Sequence, residues 1–519
     1  MQRKYWTLVS LGLVAFAAAA HASGCRTNGC NVDPDCADVT PTGGGGEGPT
    51  EAECIPEKNH AENGGPVKDE CGYFVRLSGD DVNNDGKTKA KPFATISRAI
   101  EAAKVEKKPI YLCAEIFPEP IEVPKGMEIY GGLNCAASWI YIGATKKTTI
   151  APDPDLVPIK FPNDGEGDKV HMEDIIALAA DATVPGGSSI AAIADSVTVE
   201  LVRSELIAGA GKFGDDGMTP SDPIGPTDPA DSTIAGQSGQ NACMGGANGN
   251  PGGMTITNSL CPESAGGAGG TGKETLGEAG SDGQPLPSPN PQSYGTGGTG
   301  AGAANCKSGQ NGALGENGTL GLGATGNIGT IDFDGYRGIN GAAGEAGRPG
   351  QGGGGGGAAK GKSGCYGASG GSGGTGGCGG KGGSGGKAGG ASIALISLGA
   401  TLNFTAVKLT SADGGSGGGG GPGQLGAVGG NGGMGGLGAT GAMPTLAACA
   451  GGAGGSGGAG GRGGGGRGGH SIGIAWIGVP PPEALMDTIV IGNAGNGGAG
   501  DDATNAGEDG QAIKTLEFM

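Results

Sequence analysis

Short hydrophobic runs separated by turn residues dominate residues 71–211. Runs such as IYLC, SWIYIG and VTVELV are rich in β-branched and aromatic residues and are bounded by Gly, Pro, Asp or Asn. This pattern predicts a series of short β-strands. From Pro92 to Ala103 the pattern changes, because Phe93, Ile96 and Ile100 recur at helical spacing and predict an amphipathic helix.

A similar hydrophobic segment occurs three times along the chain. It begins SIAAIAD at Ser189, SIALISL at Ser392 and SIGIAWI at Ser471, and the three copies close at Gly211, Gly414 and Gly495. A period of roughly 22 residues with short strands is typical of a solenoid, in which each coil buries its inner face against its neighbours. The sequence therefore predicts an all-β solenoid.

The same period suggests a disulfide. Cys113 and Cys135 are separated by one such period, which would place them on neighbouring coils. Neighbouring strands lie about 4.8 Å apart, within the range of Cα separations that a disulfide needs. We predict a Cys113–Cys135 bridge, and the alternative is that both thiols are buried or pair elsewhere.

The segments between the repeats consist largely of Gly. The chain has 124 Gly among 519 residues, and GGSGGTGGCGGKGGSGG shows a three-residue period. Collagen is excluded, because Pro is infrequent and the period is not sustained. Two alternatives remain: polyproline-II-like helices that pack together, or flexible insertions, since Gly loses the most backbone entropy on ordering. Disulfides would favour order, and these segments hold six cysteines: Cys243, Cys261, Cys306, Cys365, Cys378 and Cys449.

The N-terminus has the features of a secretory signal peptide. A basic QRK segment precedes an apolar run from Leu8 to Ala20, which is too short to span a bilayer. Cleavage after Ala22 would release a secreted protein. Alternatively, Ala22-Ser23-Gly24-Cys25 is an imperfect lipobox, and an acylated Cys25 would leave 12 of the 13 cysteines for disulfides in an oxidising compartment.

One stretch of the chain resembles a known fold family. Residues 73–132 contain YFVRLSGDDVNNDG, then PFATISRAIEAA, then IYLCAEIFPEPIEVPKGMEIYGG. This order resembles the N-terminal part of bacterial right-handed parallel β-helix proteins of the pectate-lyase-like superfamily, and the match covers 71–211. The resemblance implies a capping helix followed by the first coils, but no particular activity. The Gly-rich half resembles, in composition only, the PGRS-type glycine-rich surface proteins of bacteria.

Composition and resemblance together predict seven regions. They are a signal peptide (1–24), a Cys-, Gly- and Pro-rich spacer (25–70), an N-terminal β-helix (71–211), a Gly-rich insertion (212–391), a β-helix rung (392–414), a second Gly-rich insertion (415–470), and a C-terminal rung with an acidic Gly-rich tail (471–519).

A calcium loop is the metal site that the sequence suggests most strongly. Asp81, Asn83 and Asp85 fit the D-x-N-x-D-G start of a Ca²⁺ loop, but its twelfth position is Pro92 instead of Glu. The alternative is a turn before the capping helix. No other cofactor is expected.

Candidate catalytic residues are few. A β-helix lyase would draw on Lys160, Lys169, His171 and Glu173, and His171 and Glu173 share one face of a predicted strand. A solvated outer face explains them equally well. The sequence has no H-E-x-x-H motif, and its matches to the G-x-S-x-G and P-loop patterns fall within low-complexity Gly-rich segments, without the strand and helix that those motifs need. This favours a non-catalytic role.

These observations predict a structural or adhesive protein of the bacterial cell envelope. The net charge of −19 disfavours nucleic acid as a partner. We expect an outer-membrane lipoprotein facing the exterior, held by a lipid on Cys25, or otherwise a secreted protein, with polysaccharide or extracellular matrix as partner. Two alternatives stay open: a polysaccharide lyase or hydrolase acting on the β-helix flank, and an ice- or mineral-binding surface.

Overall fold

The structure is a computed structural model that describes residues 50–62, 64–441 and 443–519. The predicted signal peptide and Cys25 therefore lie outside the described residues. Three parallel sheets form the framework, and strands in each sheet stack in register. This is a right-handed parallel β-helix, as the sequence predicts.

Most coils contribute one strand to each of the three sheets, whereas the last coil contributes to only two of them. Sheet A has β1 (Tyr73–Val75), β2 (Ile110–Cys113), β5 (Glu128–Asn134), β9 (Lys169–Glu173), β12 (Thr198–Val202) and β17 (Thr401–Thr405), with β6 (Ile140–Tyr141) antiparallel to β5. Sheet B has β3 (Ile116–Phe117), β7 (Thr148–Ile150), β10 (Ile175–Leu178), β13 (Glu205–Ile207), β18 (Lys408–Thr410) and β20 (Ile489–Val490). Sheet C has β4 (Ile121–Glu122), β8 (Ile159–Phe161), β11 (Ser189–Asp195), β16 (Ser392–Leu398), β19 (Ser471–Ile477) and β21 (Ala512–Glu517).

The three repeats found in the sequence are neighbouring strands of sheet C. Ser189 pairs with Ser392, and Ser392 pairs with Ser471. The register continues to Ala512 in the last coil, where the sequence no longer shows it. The repeat thus records the stacking of coils even where a long Gly-rich insertion separates the strands.

Apolar side chains fill the interior and both ends are closed. The main cluster combines inward residues of all three sheets, including Leu112, Ile150 and Leu395. At the N-terminal end the predicted helix, α3 (Ile96–Glu106), places Ile96 and Ile100 over the core. It begins later than Pro92 because Thr95 is its N-cap and accepts the Arg98 N–H. At the other end the 3₁₀ helix Glu483–Thr488 inserts Leu485.

A short N-terminal unit covers the outer face of sheet A. It consists of α1 (Glu51–Cys54), α2 (Pro56–Ala61) and the 3₁₀ helix Asp69–Cys71, and Cys54 is bonded to Cys71. Beneath it, an aromatic cluster includes Phe74, Tyr111 and Trp139.

The Gly-rich regions leave the β-helix at the same corner of three successive coils. The chain departs after β13, after β18 and after β20, and it returns at β16, β19 and β21. Within the first departure, a hairpin of β14 (Thr330–Asp332) and β15 (Gly335–Arg337) packs Ile331 against the outer face of sheet C. Its local sign in the sequence is the dipeptide Asp334-Gly335, flanked by Ile331, Phe333 and Tyr336 within the Gly-rich region.

Outside the β-helix, the Gly-rich segments form an ordered bundle, which we call the glycine bundle. Its main segments are 212–218, 234–242, 250–258, 264–284, 295–301, 307–323, 341–359, 367–390, 412–439, 447–470, 492–500 and 506–511. They are extended but belong to no sheet, and their backbone hydrogen bonds recur every third residue. This is the polyproline-II-like alternative, with three residues per turn.

Segment 369–389 lies at the centre of the bundle. Its pairing with segment 341–359 shows the period, because the N–H groups of Gly350, Gly353 and Gly356 donate to residues 377, 374 and 371. Every third residue of the central segment, from Ser369 to Lys387, has a side chain instead of being Gly. Ser369 and Ser372 there accept backbone N–H groups of Gln240 and Gln237 at 2.7 and 2.8 Å. Ser384 bonds in the same way to the Met218 N–H at 2.7 Å, whereas the buried Thr375 hydroxyl has no partner among the described residues.

Five disulfides join the described residues. Cys113 and Cys135 are bonded, with their Cα atoms 5.6 Å apart on neighbouring coils. Three bridges fasten the glycine bundle and pair all six of its cysteines: Cys243–Cys365, Cys261–Cys378 and Cys306–Cys449. Such a set fits an extracellular or otherwise oxidising compartment. Among residues 50–519 as described, no helix has the length and apolar character needed to cross a membrane.

Candidate functional site

The outer face of sheet A carries a cluster of charged side chains. His171 of β9 lies in register with Glu128 of β5 and Glu200 of β12. Its ring nitrogens contact Glu173 Oε1 at 2.8 Å and Glu200 Oε2 at 3.2 Å. Glu200 also accepts from Lys169 at 2.8 Å. The face that His171 and Glu173 share is therefore an ion-pair network that joins two neighbouring coils.

Stacked turns position Asp174 and Arg203, which lie at the centre of this network. Asp174, Arg203 and Ala406 each have a left-handed backbone, with φ of 56°, 47° and 52°, and each turns the chain from sheet A to sheet B. The Asp174 N–H donates to Val202, and the Arg203 N–H donates to Thr405. Since these turns stack, the Arg203 side chain lies directly against Asp174.

Arg203 connects the network to the N-terminal unit. Its guanidinium donates to both carboxylate oxygens of Asp174 at 3.1 and 2.8 Å, to Glu173 at 2.6 Å and to Glu57 of α2 at 2.6 Å. Tyr141 donates to Asp174 at 3.0 Å. The Asp174 side chain is only 2% exposed, so its charge depends on these donors. The network holds the N-terminal unit on the β-helix.

The charges and hydrogen bonds of this network shift the pKa values of two of its members, His171 and Glu173. The hydrogen bond to Glu173 raises the pKa of His171 above its ordinary value, against the opposing effect of burial, and Glu200 adds to the rise. Burial alone would raise the pKa of Glu173, but hydrogen bonds from His171 and Arg203 outweigh it and lower that pKa. The cluster therefore favours imidazolium beside carboxylate more strongly than isolated side chains would.

We expect the stability of the protein to fall as the pH rises above the ordinary pKa of His. A raised pKa in the folded state means that the stabilisation from protonated His171 is complete below pH about 6.5 and is lost as the pH rises through the raised value. Chemical unfolding between pH 6 and 9 measures it. The variant His171→Gln should show a flatter profile over that range, and a profile as steep as that of the parent protein would contradict the assignment.

Lys160 is not part of this network. It lies on β8 in sheet C, whereas Lys169 and His171 lie on β9 in sheet A. Its Nζ donates to the Phe333 carbonyl at 2.9 Å and lies over the Phe333 ring. A single charged groove of Lys160, Lys169 and His171, which the lyase alternative invokes, is therefore not formed.

The residues of the suggested calcium loop bond within the protein. Asp81 accepts the N–H groups of Ala94 and Thr95 and the Thr95 hydroxyl, and so fixes the start of α3. Asn83 donates to Asp80, and Asp85 accepts the Lys87 N–H. Over the described part of the chain, no group of three or more His, Cys, Asp or Glu side chains is arranged to hold a metal ion.

A groove of about 530 Å³ lies between α3 and the first strand of sheet C. Its lining includes Glu101, Glu122, Asp155, Leu156 and Lys160. Both carboxylate oxygens of Asp155 accept from Thr183, which leaves Glu101, Glu122 and Asp334 as the carboxylates along the groove. Glu101 pairs with Lys104 at 3.3 Å.

His470 is a second buried histidine, and its position could not be inferred from the sequence. It is fully buried beside the hairpin, where Nε2 contacts the Ile328 carbonyl at 2.8 Å and Nδ1 accepts the Gln511 N–H at 2.9 Å. These two bonds require a neutral ring. Burial accordingly lowers the pKa of His470 to about 4.

We expect His470 to make the protein acid-sensitive. A lowered pKa in the folded state means that the stabilisation is present above pH about 6.5 and is lost as the pH falls toward 4, with a total of about 3 kcal/mol. In His470→Gln, an amide can make both hydrogen bonds without titrating. Unfolding curves at pH 7 and pH 4 should show a smaller acid-induced loss for this variant, and equal losses would contradict the prediction.

A comparison of the chain with protein-family models, with curated proteins and with solved structures finds no match. The fold and its network therefore define the class directly: a disulfide-bonded parallel β-helix protein that carries a glycine bundle.

Proposed function

We propose that this protein is a structural or adhesive protein of the bacterial cell envelope, anchored through a lipid on Cys25 or secreted. On this proposal it belongs with the pectate-lyase-like surface proteins and bears PGRS-type insertions. It presents its glycine bundle to glycans, matrix or other cells, and an anchor on Cys25 would place it on the outer membrane, facing the exterior.

The observation that supports this proposal is the order of the glycine bundle. A flexible Gly-rich insertion would lose its shape in solution, whereas this bundle is hydrogen-bonded on a three-residue period and fastened by three disulfides. Its segments also continue directly into strands of sheet C. Such a body displays a fixed surface, which suits adhesion and scaffolding.

Co-sedimentation with insoluble polysaccharides and with whole bacterial cells tests the proposal. Purified protein starting at residue 26 should pellet saturably with at least one of them, without releasing soluble sugar. The matched control is the same protein with its disulfides reduced, which should lose the bundle and the binding together. Absence of binding to every glycan and cell surface offered would contradict the proposal.

A polysaccharide lyase or hydrolase is the second candidate, and the groove beside α3 is the observation that favours it. Glu101 and Glu122 line that groove, and paired carboxylates can act as acid and base on a glycosidic bond. The same polysaccharide panel decides the matter. Release of oligosaccharide by catalytic amounts of protein, lost in Glu122→Gln, would favour the enzyme.

A further inference from the structure

One position on the surface of the glycine bundle is only half filled by the residues that the structure describes. Segments 418–436 and 449–467 lie side by side, and the short segment 492–500 covers the outer junction between them near the β-helix. It accepts N–H groups from Gly414, Gly417 and Gly420 of the first segment and the residues just before it. In turn, Gly495 and Gly498 donate to carbonyls of residues 469 and 466.

The chain then turns back at residues 501–505, but the two underlying segments continue. Further along segment 418–436, the N–H groups at every third residue have no acceptor among the described residues. They belong to Gly423, Gly426, Gly429, Gly432 and Gly435. In segment 449–467, the carbonyls at every third residue likewise have no donor among the described residues. They belong to Gly451, Gly454, Gly457 and Gly460. We call this surface the open trough.

The floor of the open trough carries only small side chains. Residues 450, 453, 456 and 459 are Ala, Ala, Ser and Ala, and each is partly exposed. A hollow of about 350 Å³ marks the start of the trough, where it is lined by Gly423, Ala459 and Arg462. Arg462 closes that end by pairing with Asp501 at 2.7 Å and donating to the Gly420 carbonyl.

The neighbouring surface shows what a closed position looks like. There, segment 307–323 carries Leu314 and Leu320, and the side chains of Asn311 and Asn317 accept the N–H groups of Ala453 and Ala459 at 2.9 Å. Side chains of the protein itself therefore cap the N–H groups of Ala453 and Ala459. The five glycine N–H groups of the open trough receive no such cap from the described residues.

The rim of the open trough is mainly apolar, and Asn431 is the polar residue in its row. Leu425, Met434 and Leu437 follow one row of the first segment and are 80%, 73% and 65% exposed. Aligned apolar side chains beside unpaired backbone donors are suited to a polypeptide, because it can offer carbonyls and side chains at the same spacing.

We propose that the open trough binds an extended strand of another polypeptide, in polyproline-II conformation and with Gly at every third residue. The strand lies parallel to segment 418–436, and its carbonyls accept the five glycine N–H groups in continuation of segment 492–500. At about 3.1 Å per residue, the trough from residue 423 to 435 extends roughly 37 Å.

The segment already in place shows why the partner needs Gly. A Cβ on Gly495 would overlap the Gly415 carbonyl, and a Cβ on Gly498 would overlap the Gly418 carbonyl. A partner strand faces the same kind of carbonyls further along. Beneath segment 492–500, the row that forms the floor consists of Gly465 and Gly468, where a Cβ would overlap the Gly498 and Gly495 carbonyls. The Ala and Ser side chains of the floor therefore displace a partner strand outward from segment 449–467, and the hydrogen bonds to segment 418–436 hold it.

Calorimetric titration with two synthetic peptides tests this inference. The probe has six Gly-Asn-Ala repeats, which copy Gly492-Asn493-Ala494, and its control has six Ala-Asn-Ala repeats of equal length. We expect saturable binding of the probe to the full mature protein and at least tenfold weaker binding of the control. Equal affinities would overturn the proposal.

Two variants locate the binding. Ser456→Tyr places a large side chain on the floor and should weaken probe binding at least tenfold, and Ala459→Tyr serves the same purpose if the first variant does not fold. The matched control is Met254→Tyr, at an exposed position of a segment that bonds to neither trough segment. Equal loss in Met254→Tyr would overturn the proposal. Self-association that Ser456→Tyr abolishes, without probe binding, would also overturn it and assign the trough to a second copy instead.

This inference is independent of the proposed binding to glycans. The peptide titration reports on the open trough alone, and co-sedimentation reports on the whole surface. Failure of one experiment leaves the other result intact.

Discussion

Replacing Gly373 with Ala should destabilise the protein by about 3–5 kcal/mol, although it adds one methyl group. Gly373 lies in segment 369–389, the centre of the glycine bundle, and it is fully surrounded. A Cβ built there would overlap the carbonyl oxygen of Gly353. No flexible side chain can move aside, because the obstacle is backbone.

The cost has two parts. Moving segment 341–359 outward would strain its packing, and overpacking of this kind costs about 1–3 kcal/mol. It would also stretch hydrogen bonds such as Gly353 N–H to Gly374 and Gly356 N–H to Gly371, now 2.9 and 2.8 Å. Each is worth about 1 kcal/mol. Because Ala has a smaller backbone entropy to lose than Gly, a bundle held loosely would instead gain stability.

The matched control is Gly246→Ala, in a turn of the bundle. A Cβ at that position meets no atom within 4 Å, so its effect should be within about 0.5 kcal/mol. Denaturant unfolding of the two variants, with disulfides intact, measures the difference. Equal stability of the two would show that the close contacts of segment 369–389 are absent in solution.

The β-helix can be predicted from the sequence because stacking repeats local chemistry. Each coil needs the same small, β-branched and apolar residues at the same corner, so Ser189, Ser392 and Ser471 mark equivalent positions. The capping helix is predictable for a similar reason, since its apolar face is periodic. Its start differs by four residues because the N-cap at Thr95 and the Asp81 carboxylate decide where the helix begins.

The order of the glycine bundle cannot be decided from the sequence. A Gly in a bundle and a Gly in a flexible chain look the same, since the difference lies in which carbonyl approaches it. Thus Gly373 meets Gly353, from the preceding segment, while Gly454 meets Thr375, from a different insertion. Such contacts have no local pattern, and neither does the half-filled position that forms the open trough.

The ion-pair network is partly visible in the sequence. The alternation of His171 and Glu173 with apolar residues correctly places both on one strand face. Their partners are not visible, because Glu200 and Arg203 reach them only by stacking of the next coil. Charge alone groups Lys160 with them, yet the corner between sheets places it on another face.

Removing a disulfide of the glycine bundle should cost more than removing the disulfide of the N-terminal unit. Cys306 and Cys449 are 143 residues apart, whereas Cys54 and Cys71 are 17 apart. By loop-closure entropy, the longer loop contributes about 4–5 kcal/mol and the shorter about 3 kcal/mol. The double variant Cys306→Ser/Cys449→Ser should therefore unfold at clearly lower denaturant concentration than Cys54→Ser/Cys71→Ser.

The composition of the glycine bundle increases this dependence on disulfides. The large apolar clusters belong to the β-helix and its hairpin, and the one cluster found within the described bundle consists of Ala242, Ala359, Cys365 and Ala368 with two partly buried alanines. Without a substantial apolar core, hydrogen bonds worth about 1 kcal/mol each must offset the large backbone entropy of Gly. Restricting the unfolded chain lowers that entropy, so the bridges act where the bundle is weakest.

Limited proteolysis alongside the unfolding curves distinguishes local from global effects. In Cys306→Ser/Cys449→Ser, cleavage should begin within the bundle, near residues 302–306 and 440–448, while the β-helix strands stay protected. In Cys54→Ser/Cys71→Ser, cleavage should begin in the N-terminal unit. If both double variants lose the same stability and are cleaved at the same sites, loop length does not govern these bridges. Native-state contacts around each bridge would then have to account for the order of the glycine bundle.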